Sequence, residues 1–150
     1  MTRINSAIPP RCLTDEHLLA EHREIKRLPY FLRCAMLSGS TGRIPERFTL
    51  GHGHVLFFID KQQFIYDRYI KVHWALRNRG YNVHTFISSW DAVPQAYWNE
   101  YTPTCEERDL LVARITERIM NSKKQTWHYY GQPITKERAV QLLHSAELYR

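Results

Sequence analysis

Cysteine is scarce in this chain of 150 residues, and the three present, Cys12, Cys34 and Cys105, are odd in number and scattered. That excludes a disulfide framework, and with no CxxC pair and no close Cys/His pairing it gives no zinc signature. Reduced thiols of a cytoplasmic protein are the simplest account. No stretch approaches the ~18 apolar residues a membrane helix needs. The opening MTRINSAIPPR lacks the apolar core of a signal peptide, so export is not expected and a cytoplasmic location is. No internal repeat and no low-complexity tract is present. Acidic residues are also in deficit, 15 against 21 basic ones, for a formal charge of +6.

What is present is a normal apolar fraction of 43%, with 13% aromatics, enough for a real core and against disorder. The length suits one domain. Lysine is rare and arginine dominates the basic set, 15 of the 21. Arginine forks onto phosphates and stacks on flat rings, so a basic, arginine-weighted and aromatic-rich domain fits a nucleic-acid partner. Ordinary solvated surface charge is the competing account.

The pattern predicts an all-α fold: a short N-terminal arm, three main helices, an aromatic loop and a short C-terminal helix. Pro9-Pro10 keeps residues 1–13 extended. Thr14 is the expected N-cap of the first helix, with Asp15 and Glu16 in its first turn, where the helix dipole favours negative charge. Leu18, Ile25, Leu32 and Met36 form one stripe, with a kink at Pro29 and an end at Ser38-Gly39. GHGHVLFF reads either as a strand or as a buried turn. Asp60 and Gln63 suggest a capping box for a second helix that buries Ile65, Tyr69, Val72 and Leu76 and stops at Gly80. Residues 81–103 read mostly as loop. Thr104 and Glu107 form a further capping box for a third helix, with Leu111, Ile115 and Ile119 inward. TWHYYGQPI reads as an aromatic loop, and Thr135 opens the last helix, where Val140, Leu143 and Leu148 face inward.

Three clusters could carry chemistry. Removal of Met1 before the small Thr2 would leave a free α-amine. Its pKa of about 8 keeps far more of it neutral at pH 7 than a lysine, so it is a ready nucleophile for imine chemistry. EHREIKR on the first helix puts Glu21 and Glu24 on one face with His17, flanked by Arg23 and Arg27. A carboxylate among arginines stays ionised and could stabilise a developing sugar cation or move a proton. A solvated face with local ion pairs explains the same spacing. Trp127-His128-Tyr129-Tyr130 could stack on unpaired bases, or simply fill the core. Arg114 and Arg118, one turn apart, could meet a phosphate backbone. His52-Gly53-His54 lacks acidic or thiol partners for a metal. Lys26 beside Glu24 is a rival nucleophile, but an acidic neighbour raises a lysine pKa.

Taken together, MTRIN, HLLAEHRE, GHGHVLFFIDKQQF, NRGYNV, VPQAYW, ARITERI and WHYYGQPI, in that order, resemble the pyrimidine-dimer DNA glycosylases of phages and their bacterial relatives, the endonuclease V family. The resemblance spans roughly residues 1–134, leaving 135–150 as a helical extension of the same domain. It implies an all-α domain with its arm packed on the helices, acting as a monomer on double-stranded DNA with damaged pyrimidines, needing neither metal nor cofactor. It implies excision of cyclobutane dimers followed by nicking at the abasic site, with extrusion of a base opposite the lesion and a kinked duplex. Thr2 matches the nucleophile and Glu24 the catalytic carboxylate. Arg3, Arg23 and Arg27 match arginines around the lesion strand, and His17 and Glu21 their polar neighbours. Arg114 and Arg118 match backbone contacts, and Trp127, Tyr129 and Tyr130 the segment that grips damaged DNA. The chain departs from the family pattern at His22, where Tyr is common, and at Ile25-Lys26-Arg27, where Leu-Pro-Arg is. Its aromatic loop is one residue shorter. Two further readings stand beside this one: the same chemistry on another modified pyrimidine, and a non-catalytic binder of damaged DNA.

Overall fold

Proline lacks an N–H, and its ring clashes with the carbonyl four residues earlier, so Pro29 cannot continue a helix whose preceding turn ends at Ile25. The computed structural model, which describes residues 3–145 apart from the side chains at 40 and 42, breaks there. Helix α1 runs Asp15–Ile25 and α2 runs Arg27–Ser38, with Lys26 between them. Thr14 caps α1 by accepting the His17 N–H, and Gly39, at φ 73°, closes α2 in the left-handed conformation. The break turns the second half of the expected stripe. Leu18, Ile25 and Leu32 are buried, but α2 continues inward with Leu28 and Ala35, and Met36 is 42% exposed.

GHGHVLFF forms the short helix α3, His54–Phe58. Helix α4 spans Gln62–Asn78, and the capping box expected at Asp60 is not made. Asp60 instead pairs with Lys61 at 2.9 Å. The Gln62 side chain turns back to the Ile59 carbonyl and accepts the Trp90 indole N–H. Two 3₁₀ turns interrupt the long connection that follows. Helix α5, Cys105–Asn121, opens with the full Thr104–Glu107 capping box and buries Leu111, Val112, Ile115 and Ile119.

The aromatic segment is a β-hairpin rather than a loop. Strand β1, Thr126–Tyr129, pairs antiparallel with β2, Gln132–Thr135. Tyr130 and Gly131 join them with φ of 53° and 78°, the two positive values that a two-residue hairpin turn with matching twist requires. Helix α6, Lys136–His144, is capped by Thr135 and sends Ala139 and Leu143 into the core between α4 and α5. Leu148 lies outside the described residues. The fold is mainly helical, as expected, with the hairpin, the short helix α3 and the division of the first helix into α1 and α2 as its departures from the expectation.

The arm is as buried as any helix. Ile4, Ile8, Cys12 and Leu13 are 0–1% exposed, and its extended course is broken by a 3₁₀ turn at Pro10–Cys12. Cys12, Cys34 and Cys105 are unpaired. Among the described residues no helix is long and apolar enough to cross a membrane.

Candidate active site

The arm's course is fixed by buried polar contacts. The Ile4 N–H donates to His54 Nε2 at 3.0 Å, while His54 Nδ1 lies 3.0 Å from the Thr49 carbonyl. A carbonyl only accepts, so Nδ1 carries the proton and Nε2 is the acceptor. Burial pushes the His54 pKa down, which keeps this neutral tautomer. The loop that delivers His54 passes so close to Gly53 that a Cβ there would sit 2.8 Å from the Thr49 methyl. HGH is therefore a clamp on the arm, and sequence reasoning, which weighed it only as a metal site, missed it. Among the described residues no group of three or more His, Cys, Asp or Glu could hold a metal ion.

The second contact corrects the reading of Glu21. Its carboxylate is 2% exposed and accepts from Arg68 through two bonds of 2.7 and 3.0 Å, and from Asn5 at 3.0 Å. Arg68 also donates to the Ile8 carbonyl at 2.6 Å. Glu21 has no surface to offer DNA; it ties α1 and α4 to the arm. Helical spacing puts Glu21 and Glu24 on one side of α1, but it cannot show that an arginine 47 residues away reaches one of them.

One peptide bond after Thr2, which lies outside the described residues, Arg3 has both terminal nitrogens buried without a hydrogen-bond partner. Burial first, and then the like charges of Arg118 and Arg114, lower its pKa to about 10, with Glu24 opposing them. Glu24 on α1 and Arg114 and Arg118 on α5 thus lie near enough to act on the Arg3 guanidinium of the arm. Glu24 is half-buried at the end of α1, and Arg23 and Arg27 are exposed on either side of the Lys26 break.

His17 and Trp127 extend this face. Their rings stack at 5.2 Å with planes 4° apart, and Lys124 lies 4.8 Å over the indole. Burial lowers the His17 pKa to about 4, with Glu16 and Glu21 opposing and Lys124 and Arg118 reinforcing. The neutral ring keeps its Nδ1 2.7 Å from the Thr14 hydroxyl. The Trp127 Nε1–H is buried without a partner.

The rest of the hairpin is held by the acids that open α1. Asp15 accepts from the Tyr130 and Gly131 N–H groups, from the Tyr81 hydroxyl at 2.6 Å and from Arg79 at 2.8 Å. Burial would raise its pKa, but these bonds outweigh it and hold the carboxyl low. Glu16 accepts from the His128 ring at 2.6 Å and from the His128 N–H at 3.1 Å. Tyr129 and Tyr130 are both within 5 Å of the Arg79 guanidinium, and the Tyr129 hydroxyl donates to the Arg11 carbonyl. Only Trp127 of the three predicted aromatics thus stacks beside the arginine face.

His22 and Lys26 meet on the Phe86 ring. His22 is 4% exposed, with Nε2 3.0 Å from His73 Nδ1, and Lys26 sits 3.8 Å over the Phe86 ring. Burial, then His73 and Lys26, lower the His22 pKa to about 4.

The clamped N-terminal arm and the α1 carboxylates fall within the region matched by a family model, whereas Arg114 and Arg118 on α5 lie beyond it. The model for pyrimidine dimer DNA glycosylase matches residues 1–89. These residues carry the arm, the α1 carboxylates and the His54 clamp. The chain belongs to the pyrimidine dimer DNA glycosylase family.

Proposed function

We propose that the protein is a glycosylase with abasic-site lyase activity, acting on cyclobutane pyrimidine dimers in duplex DNA through the α-amine of Thr2. The observation that carries this reading is Arg3: its two terminal nitrogens are buried without partners, it feels the charges of Arg114, Arg118 and Glu24, and it follows directly on Thr2 in the chain. An orphaned buried cation beside a carboxylate fits a phosphate brought in by substrate.

In this mechanism the neutral amine forms a bond to the anomeric sugar carbon as the glycosidic bond breaks, and the pair of electrons leaves with the base. The sugar ring opens to an imine, which acidifies the adjacent sugar proton. Loss of that proton expels the 3′ phosphate by β-elimination, and water then frees the amine. Glu24 stabilises the positive sugar or imine and assists the proton transfers. Arg3, Arg23, Arg27, Arg114 and Arg118 hold phosphates, and Trp127 on its His17 support presents a flat face to the distorted strand. Dimers already distort the duplex, which lowers the cost of extruding a nucleotide.

Borohydride trapping on dimer and abasic duplexes, with an untagged chain, tests the reading. A covalent adduct on the Thr2 peptide, seen by mass spectrometry, is expected. No adduct on either duplex from protein with Met1 removed would overturn it. Glu24→Gln should lower cleavage about 10²–10⁴-fold, the range of one positioned acid–base group, with duplex binding preserved. If the unchanged chain binds damaged duplex without cleaving it, and Glu24→Gln leaves that binding alone, the chain is a binder. The His22–His73 and Lys26–Phe86 packing favours a second reading in which another modified pyrimidine is the preferred lesion. A panel of lesion duplexes separates the two, and cleavage of the dimer alone excludes the second.

A further inference from the structure

A second arginine carries a buried nitrogen without a partner. Arg108, in the first turns of α5, is 7% exposed, and its Nε–H is buried without a hydrogen-bond partner. Its Nη2 reaches the half-exposed Asp109 at a weak 3.4 Å. Ser6 is also 7% exposed, and its hydroxyl is likewise buried and unpartnered. The two side chains line one cleft of about 500 Å³ between the arm, α4 and the start of α5. Arg11, Arg68 and Lys71 line it as well, and no carboxylate does. Arg68 is committed to Glu21, whereas Lys71 is exposed at the rim. Asp67 and Glu100 line the neighbouring recess, which shares Ser6, Arg68 and Lys71 with the cleft.

Burying a polar group without a partner is costly, and two such groups in one basic cleft point to a ligand that supplies the missing acceptors. The ligand must supply acceptors, because Arg108 and Lys71 only donate, and a lining of cations without a carboxylate favours an anion. The donors come from different elements and directions, which suits the tetrahedral oxygens of phosphate better than the two coplanar oxygens of a carboxylate. The start of α5 adds little by itself, since Thr104 and Glu107 already complete its capping box.

We infer that this cleft binds a phosphate group, held by Arg108, Ser6 and Lys71, at a site separate from the Arg3–Glu24 face. The phosphate arrives either as a free anion or as a phosphodiester of the nucleic-acid backbone.

The test is ¹⁵N NMR of the full chain, observing arginine Nε–H and backbone amide signals. Inorganic phosphate is titrated against chloride at matched ionic strength, and an undamaged duplex is titrated separately. Saturable shifts of the Arg108 Nε–H and the Ser6 amide are expected, with affinity weakened roughly three- to tenfold by Lys71→Gln. Arg108→Met should abolish the Ser6 response; if that variant fails to fold, Lys71→Gln, at an exposed position, carries the test. If the duplex moves the same signals and phosphate competes it away, the source is nucleic acid. If phosphate saturates the site and the duplex leaves it unmoved, the source is the free anion. Shifts no different from those in chloride, saturable shifts confined to Arg3, Arg114 and Arg118, or an affinity unchanged by Lys71→Gln would each overturn the inference.

Discussion

At Ile4 the backbone N–H is buried and donates to a histidine ring 50 residues away. His54→Ala should leave that N–H without its acceptor and cost about 1–3 kcal/mol. On the proposed mechanism it should also slow imine trapping, because the arm that carries the nucleophile loses its clamp, while duplex affinity changes little. Urea melts and trapping rates on one preparation check both effects, and an unchanged trapping rate would remove His54 from the positioning machinery. Residue chemistry was partly legible in advance. An α-amine next to an arginine, and a carboxylate among arginines, are visible as a list. Which of two carboxylates three residues apart is free for substrate was not. Glu21 and Glu24 look equivalent by periodicity, and only the position of Arg68 separates the buried structural acid from the half-buried one.

The hairpin is an element whose geometry depends on a single carboxylate. Tyr130 has a φ of 53°, unfavourable for a side chain with a Cβ, and its N–H and that of Gly131 both bond Asp15. Asp15 also neutralises the buried Arg79, whose side chain is 1% exposed. Asp15→Ala should therefore destabilise the fold by about 3–5 kcal/mol, the cost of stranding a buried charge. It should also loosen the hairpin enough to weaken the His17–Trp127 stack, seen as altered tryptophan fluorescence under conditions where the variant is still folded. An unchanged melt would show that Arg79 finds adequate partners in the Leu13 and Pro10 carbonyls alone. From sequence, Asp15 and Glu16 looked like dipole-complementing acids, and that account is incomplete. Both carboxylates accept from a hairpin more than 110 residues away. The helices were easier to anticipate because their signals are local. Thr14, Thr104 and Thr135 each cap the helix they precede, whereas a Tyr-Gly turn looks like a loop until its strands pair.

Across the whole molecule, the buried imidazoles set the response to acid. His17 and His22 have pKa values lowered from 6.5 to about 4, and those of His54 and His73 are lowered too. The folded state thus binds fewer protons than the unfolded chain between these values, so stability is full above about pH 6.5 and falls as pH drops towards 4. Urea midpoints measured from pH 7.5 to 4 should decline over that interval, before the carboxylates protonate, and a flat profile would refute the assignment. The net charge of +6 adds a salt dependence. With several arginines neutralising phosphates, log affinity for duplex should fall linearly with log salt, and Arg118→Gln should reduce the slope by about 1. Fluorescence anisotropy at several salt concentrations reads this directly.

The sequence by itself determined the mainly helical class, the threonine caps of α1, α5 and α6, the inward faces of α4 and α5 and the arginine-weighted charge, because periodicity, capping and composition act over a few residues. Tertiary structure decided which charges are spent inside the fold. It paired Glu21 with Arg68 and Asp15 with Arg79, turned His54 into a clamp on the arm, and left the terminal nitrogens of Arg3 and the Nε–H of Arg108 buried without a partner. Those outcomes depend on contacts between residues 47 to 64 positions apart and on the desolvation that accompanies them, and neither is encoded in local spacing.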